Sequence, residues 1–310
     1  MTKNSKANIE ILGPCLLNKY PKTVSEVDLL CSRLGREIGW HYILDLVYIL
    51  EMIDLPPGAR ILDAGAGNGI AQFALAARGY NVISVDFSNR KIPLLASLAF
   101  SIRKIEGQAF EHEYISYLES QQIRITSLKY WKDFLARLFY KLRKIGLQGC
   151  VLPFFWLSRV MKLRRPGRIS YCRSDMSNMG TVASDSVDAV VSVSAVEHMD
   201  QDLIAMAVKE FKRVLKPEGK IVVTTSAAKS EDWFHQPSKG WCFSEGTIRK
   251  LFELDETVPS NYNFYDELTA QFRNSEELQR RIPAFYKLSG ENGMPWGVWD
   301  PKYLPVGIKM

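Results

Sequence analysis

The residues best suited to chemistry gather at one turn. Asp63-Ala64-Gly65-Ala66-Gly67-Asn68-Gly69 follows the short apolar run Arg60-Ile61-Leu62 and leads into a segment of helical spacing, residues 70–78. Gly65 and Gly67 have no Cβ, so the main chain can turn sharply there and lie close to a ligand. The helix that follows offers free N–H groups in its first turn, a favourable place for a carboxylate or another anion. Asp86 closes the next apolar run, residues 81–86. A carboxylate about twenty residues beyond such a turn can accept both hydroxyl protons of a ribose.

Three histidines sit near this apparatus or past its strands: His41 in Gly39-Trp40-His41-Tyr42, His198 in Val196-Glu197-His198, and His235 in Trp233-Phe234-His235-Gln236. His198 follows an apolar run at the rim of the expected site, which makes it the first candidate for a general base, with a structural histidine as the alternative. His235 stands on the loop after a later strand, a place that often holds acceptor sites, and is the second candidate. His41 reads as a packed helix residue or part of a lid over the ligand.

Strands must carry these groups. Residues 60–63, 81–86, 169–172, 187–193 and 220–225 read as buried strands, with helices over 70–78 and 203–215. Strands alternating with helices imply a parallel sheet. Residues 25–54 read as helices, with Ser25 as N-cap and Pro56-Pro57-Gly58 as the stop. Residues from about Arg90 to Arg168 interrupt the alternation and read as mostly helical. The tail beyond Ser226 is rich in Trp, Pro and Gly, and ends in a strand near Leu304–Ile308.

A glycine turn alone does not separate ligand classes, because nicotinamide dehydrogenases also have one. Their third glycine falls three residues after the second, where this chain has Ile70. Asp63-x-Gly65-x-Gly67-x-Gly69 with Val85-Asp86-Phe87-Ser88 resembles the class I S-adenosylmethionine (SAM)-dependent methyltransferases. Asp175-Met176, Ser186–Ser192 with Val196-Glu197-His198, and Phe211–Lys220 continue the resemblance in the family's order, over roughly half the chain. The resemblance implies a role for each matching residue. Ala64, Gly65 and Gly67 would pack on the methionine part of SAM. Asp63 would steady the turn and meet the ammonium end. Asp86 would bind the ribose and Phe87 would lie along the adenine. Asp175 would accept from the adenine amino group, Met176 would offer its N–H to a ring nitrogen, and Ser194 would line the methionine and acceptor side. A helix cap for Asp175 and core packing for Phe87 are the competing readings. In the family's metal-linked variant a second Glu stands three residues before Glu197. That position is Ser194 here, so no metal is expected.

The net charge of +6 is uneven. From Ser127 to Arg168 the chain has eleven basic residues and one acid, Asp133, so the remainder is mildly acidic. Leu128, Trp131, Phe134, Leu135, Leu138, Phe139, Leu142 and Ile145 form an apolar stripe within this basic block. It reads as a lid helix, as a peripheral membrane contact through residues about 128–168, or as an RNA contact, with nucleic acid the least favoured. The five cysteines form no CxxC pair, which argues against a disulfide framework or a zinc site. No apolar leader follows Met1, and no run is long enough to span a bilayer, so a cytoplasmic protein, in part peripheral to the membrane, is expected.

The sequence therefore predicts an α/β fold: a Rossmann-like, doubly wound, mostly parallel sheet with an inserted helical segment. Residues 1–57 form an N-terminal helical cap. Residues 58–226 form the SAM-binding core, with a basic helical insertion at about 90–168, and residues 227–310 form an acceptor-side extension. The expected reaction is SAM-dependent O-methylation of a small-molecule, sugar or lipid-linked glycan acceptor. The glycan reading rests on a broad resemblance to methyltransferases of surface-glycan pathways, carried by the Trp- and Tyr-rich tail at 292–303. The alternatives are an NAD(P)-dependent oxidoreductase and a non-catalytic SAM-binding regulator.

Overall fold

The computed structural model describes residues 7–107 and 167–310. The apolar stripe and nearly all of the basic block lie outside the described residues.

Six parallel strands form the middle of the sheet. In spatial order they are β7 (Leu215–Ala227), β6 (Val187–Val193), β2 (Arg60–Ala64), β3 (Asn81–Asp86), β5 (Arg168–Arg173) and β4 (Ser101–Lys104). Strand β10 (Leu304–Lys309) joins antiparallel beside β7, and β1 (Asn8–Ile11) pairs antiparallel with β10. A short hairpin of β8 (Trp233–His235) and β9 (Gly240–Phe243) attaches to the end of β7. The mostly parallel sheet expected from the alternation is present. The chain winds outward from β2 in both directions, so the order reverses between β2 and β6. Ligands of such sheets bind at the carboxyl ends of the strands at this reversal.

Burial explains the elements. Most buried positions of strands β2, β3 and β6 are Val, Ile, Leu or Ala, as expected of parallel strands covered on both faces. Helix α6 (Gln201–Val214) buries Ile204, Ala207, Val208, Phe211 and Val214, one stripe at helical spacing. Helix α4 (Ala71–Ala77) is followed by Gly79 at φ 98°. The cap helices α2 (Pro21–Leu34) and α3 (Tyr42–Met52) flank the sheet, with α3 seated on β10, β6 and β7. The short helices α1 (Cys15–Lys19) and α5 (Leu94–Ala99) complete the first half. The tail adds α7 (Glu245–Phe252), α8 (Tyr265–Arg273) and α9 (Glu276–Arg280).

Several local expectations are corrected. Ser25 is not an N-cap: α2 starts at Pro21, whose fixed φ suits the first helical position, and the Ser25 hydroxyl donates to the Pro21 carbonyl inside the helix at 2.9 Å. Of the segment expected to be mostly helical after Arg90, residues 108–166 lie outside the described residues, and the described start holds one strand that was not expected. After α5 the chain becomes β4, an edge strand of Ser, Ile, Arg and Lys, whose polar character hid it as a strand. Helix α6 ends at Val214, before Pro217, and the chain passes directly into β7. Among the described residues, no helix is long and apolar enough to cross a membrane.

Gly307 shows how closely the cap is seated. A Cβ there would lie 2.3 Å from the ring of Tyr48 on α3, which is fully buried. Gly307→Ala is therefore expected to lower the unfolding free energy by about 1–3 kcal/mol, read as a lower urea midpoint with an unchanged slope. An unmoved midpoint would contradict this seating.

Candidate functional site

Gly65 and Gly67 both adopt left-handed backbone, at φ 70° and 47°. At Gly65 a side chain is also excluded by space: its Cβ would lie 2.6 Å from Cβ of Ala195 and 3.3 Å from the Met176 thioether. The turn is pinned on both sides of Gly67. Its N–H donates to Asp86 Oδ2 at 2.7 Å, and its carbonyl accepts from the Arg90 guanidinium at 3.1 Å. The Ser88 N–H holds the other Asp86 oxygen at 2.8 Å. Arg90 is buried, donates to the Ser84 hydroxyl at 2.7 Å and to the Ser84 carbonyl at 2.6 Å, and lies over the Tyr171 ring. The Ser84 hydroxyl donates to Gln72, whose amide donates to the Gly69 carbonyl at 3.0 Å.

Gln72, Ser84 and Arg90 escaped the sequence reading. Their signal was present: a lone Gln among Ala, Phe and Leu on a helix, and a Ser inside an apolar strand, must find polar partners when buried. The sequence could not say that both would brace one turn.

Asp63 lies at the carboxyl end of β2 and lines the cavity, yet is only 1% exposed. Neither of its carboxylate oxygens has a hydrogen-bond partner in the described structure. Burial pushes its carboxyl up to about 7; the nearby Arg90 charge opposes that rise and Asp86 adds to it. Buried polar groups are normally satisfied, so a bare carboxylate beside a glycine cradle is suited to a cationic ligand group.

The cavity measures about 680 Å³, within the ordinary range for cofactor sites. It brings together Asp63, Gly65, Gly67, Asp86, Phe87, Asp175, Met176, Ser194 and His198, under a wall made by residues 36–39 and Tyr42. Phe87 is 38% exposed and faces the cavity, so it is not a core residue. One oxygen of Asp175 accepts from the N–H of Ser177 at 2.8 Å and from its hydroxyl at 2.7 Å, which closes a tight turn; no helix follows, so Asp175 is not a helix cap. That turn is itself locked: the Met179 N–H donates to Glu210, and Arg213 donates to the Met179 carbonyl. Ala64 is not brought to the cavity wall; strand alternation places its side chain fully in the core.

His198 closes a 3₁₀ turn (Val196–His198), is exposed, and lines the cavity. Its Nδ1 is 2.8 Å from the Lys239 carbonyl. A carbonyl only accepts, so Nδ1 carries the proton and Nε2 of the neutral ring keeps its lone pair. Beside it, burial raises the Glu197 carboxyl above its usual range, although His198 opposes the rise, and Oε2 accepts from the Thr225 hydroxyl at 3.1 Å. His235 does not reach the cavity. It lies on β8, buried against Trp233 and Tyr303, with Nδ1 2.7 Å from the Ser238 hydroxyl. Burial, helped by Lys302, lowers its basicity. His41 is buried in the cap, 2.7 Å from Asp45. Among the described residues, no group of three His, Cys, Asp or Glu side chains is placed to hold a metal.

A family model described as a methyltransferase domain matches residues 41–257. No curated protein matches the chain. Similar solved structures include a TehB-like SAM-dependent methyltransferase from Corynebacterium glutamicum, 15% identical, with 76% of this chain and 82% of that one covered and a TM-score of 0.35. Haemonchus contortus phosphoethanolamine N-methyltransferase 2, in complex with phosphomonomethylethanolamine and S-adenosylhomocysteine, is 15% identical, with 95% of this chain and 58% of that one covered, at 0.44. The [4+2]-cyclase SpnF is also 15% identical, covers 98% of both chains, and scores 0.44. These three likenesses are too loose to assign an acceptor.

Three outcomes follow from the geometry. Gly65→Ala, which combines a forbidden contact with left-handed backbone, is expected to cost about 1–3 kcal/mol of stability and to abolish calorimetric binding of S-adenosylhomocysteine. For Asp63, the folded chain holds its proton to about pH 7, whereas the ordinary value is 3.8. Its neutral form therefore contributes stability that is fully present below about pH 4 and lost as pH rises through about 7. Asp63→Asn should remove that slope from the pH dependence of the melting temperature. Binding of a cation runs the other way: affinity for S-adenosylhomocysteine should fall roughly tenfold per pH unit below about 7, and a flat profile would contradict the assignment.

Proposed function

The chain belongs to the methyltransferase family, whose model spans residues 41–257, and is a SAM-dependent methyltransferase; from that premise we propose that it methylates a neutral hydroxyl of a small-molecule or glycan acceptor. The family match sets aside the oxidoreductase reading.

The residues present fit the donor. The bare Asp63 carboxylate suits an ammonium, and the Gly65 cradle leaves no room for a side chain. Asp86, oriented by Gly67 and Ser88, would hold the ribose hydroxyls. Phe87 would cover one adenine face, and Asp175 with the Met176 N–H would meet the adenine edge. The donor supplies a methyl group already activated as a sulfonium, so the protein's work is alignment and proton handling.

His198 carries the acceptor reading. Its proton on Nδ1 is committed to the Lys239 carbonyl, and Nε2 has no hydrogen-bond partner among the described residues. Nε2 takes the proton of the acceptor hydroxyl as its oxygen attacks. The resulting imidazolium keeps its hydrogen bond to the Lys239 carbonyl.

The walls disfavour an anionic acceptor. Glu37, Asp63, Asp86, Asp175 and Asp200 line the cavity against Arg36. A phosphate or carboxylate would enter against this balance. In a lipid-linked glycan, the phosphate would therefore lie outside the cavity while a sugar hydroxyl enters. Peripheral membrane contact through residues 128–168 belongs to that version of the proposal.

His198→Ala is expected to lower methyl release on a responsive acceptor by about 10²–10⁴-fold and leave S-adenosylhomocysteine affinity within about twofold. A panel of neutral sugars, phosphorylated sugars and amines, assayed for methyl release, checks the acceptor. Turnover confined to the phosphorylated members would refute it.

A further inference from the structure

The histidine at the cavity rim is held from behind by the β8–β9 hairpin, and a glycine makes the contact. The two strands pair Trp233 with Cys242, Phe234 with Trp241, and His235 with Gly240. Side chains alternate along a strand, so Trp233, His235, Gly240 and Cys242 share one face, and Phe234 and Trp241 share the other. The first face meets the 3₁₀ turn that ends in His198. A Cβ on Gly240 would lie 3.1 Å from Glu197 Cγ, 3.3 Å from His198 Cε1 and 3.4 Å from its Nδ1. The φ of Gly240 is not in the left-handed region, so the backbone there does not itself require glycine. Glycine weakens a strand interior and often marks a close approach. What comes close here is an imidazole.

The hairpin fastens the segment that carries His198 at two places. At its tip, Lys239 in left-handed backbone at φ 53° turns its carbonyl to His198 Nδ1 at 2.8 Å. The tip is closed by the Lys239 N–H, which donates to the Gln236 carbonyl at 3.2 Å, and by the Ser238 hydroxyl, 2.7 Å from His235 Nδ1. At its base, Asp232 accepts from the Ser244 N–H and the Thr247 hydroxyl, both at 2.7 Å, and from the Gln201 amide at 3.2 Å. Gln201 follows Asp200, which lines the cavity with Ala195, His198 and Met199. A free imidazole has two nitrogens that can carry the proton; here the bond to Lys239 selects one. That selection needs the ring against the hairpin, and a side chain at position 240 would push the ring off it.

We propose that Gly240 is a positioning residue for methyl transfer: by leaving room for the His198 ring on the β8–β9 hairpin, it sets the direction of Nε2 and keeps the Nδ1 proton on the Lys239 carbonyl. The C-terminal extension then supplies part of the catalytic geometry as well as cover. A misplacement of about 1 Å in such a group costs up to about 10²-fold in rate. This rests on His198 acting as the base.

NMR of protein labelled with ¹⁵N-histidine reads the ring without an acceptor, and His198→Gln identifies its signals. In the unaltered protein, Nδ1 should show a bound proton and Nε2 a lone pair. Gly240→Ala should perturb this pattern, and Gly240→Val, whose branched side chain suits a strand, should replace it by a mixture of both tautomers. Gly240→Val should also lower kcat for methyl release about 10–10²-fold on an acceptor that responds in the panel, with S-adenosylhomocysteine affinity within about twofold. Phe234→Ala, on the opposite face of the hairpin, should leave the tautomer and kcat unchanged, with melting curves showing each variant folded. An Nε2-bound proton in the unaltered protein, or unaltered His198 signals in folded Gly240→Val, would overturn the proposal. If His198→Ala retains full methyl release, the base assignment fails and the role of Gly240 in methyl transfer falls with it. If His198→Ala is inactive and the ring ignores Gly240→Val, only the role of Gly240 fails.

Discussion

The structure turns on the conformation of Gly67. Its N–H and its carbonyl are both tied to buried charged side chains, Asp86 and Arg90. Those two groups come from the end of β3 and the loop after it, so the turn after β2 is locked by the neighbouring strand rather than by itself. A left-handed glycine is conformationally loose in isolation. Here the loss of freedom is offset by charge-assisted hydrogen bonds in a dry setting, where each is stronger than in water. The consequence is a preorganised cradle at the carboxyl edge of the sheet.

Around that cradle the protein keeps several acids out of water. Asp63, Asp45 and Glu197 are all nearly or fully buried, close to the same cavity, and they carry different loads. Glu197 has a threonine hydroxyl and a neighbouring histidine. Asp45 is shared between Ser194 and His41. Asp63 has no hydrogen bond in the described structure. Burying a charge without a partner is costly, and the cost falls when a cation arrives. The fold thus carries an electrostatic tension that a sulfonium amino acid would relieve, which is a physical reason for this cavity to prefer a positively charged ligand.

The extensions add to the core where it is open. The cap covers the cavity with residues 36–39 and Tyr42, and it reaches the sheet through α3 on β10. The hairpin β8–β9 places the Lys239 carbonyl against His198 and buries His235 against Trp233 and Tyr303. The first and second candidate histidines therefore have opposite fates. One rims the cavity with a fixed tautomer, and the other is a packing residue of lowered basicity.

The sequence alone determined the strand–turn–helix order, the glycine turn and the acid at the end of β3, because these depend on local rules: missing Cβ atoms, apolar periodicity and short spacing. Through its resemblance to the methyltransferases it also pointed to Phe87, Asp175, Met176 and Ser194, which with His198 line one cavity at the carboxyl ends of the parallel strands. It missed the bracing by Gln72, Ser84 and Arg90, the link from Ser194 to Asp45 and His41, and the edge strands β1 and β4. Each of these depends on which distant segments meet. The Ser194 to Asp45 contact joins residues 149 apart in the chain. No periodicity encodes such a meeting; only packing of the cap against the finished sheet decides it, and with it which buried groups are left to bind.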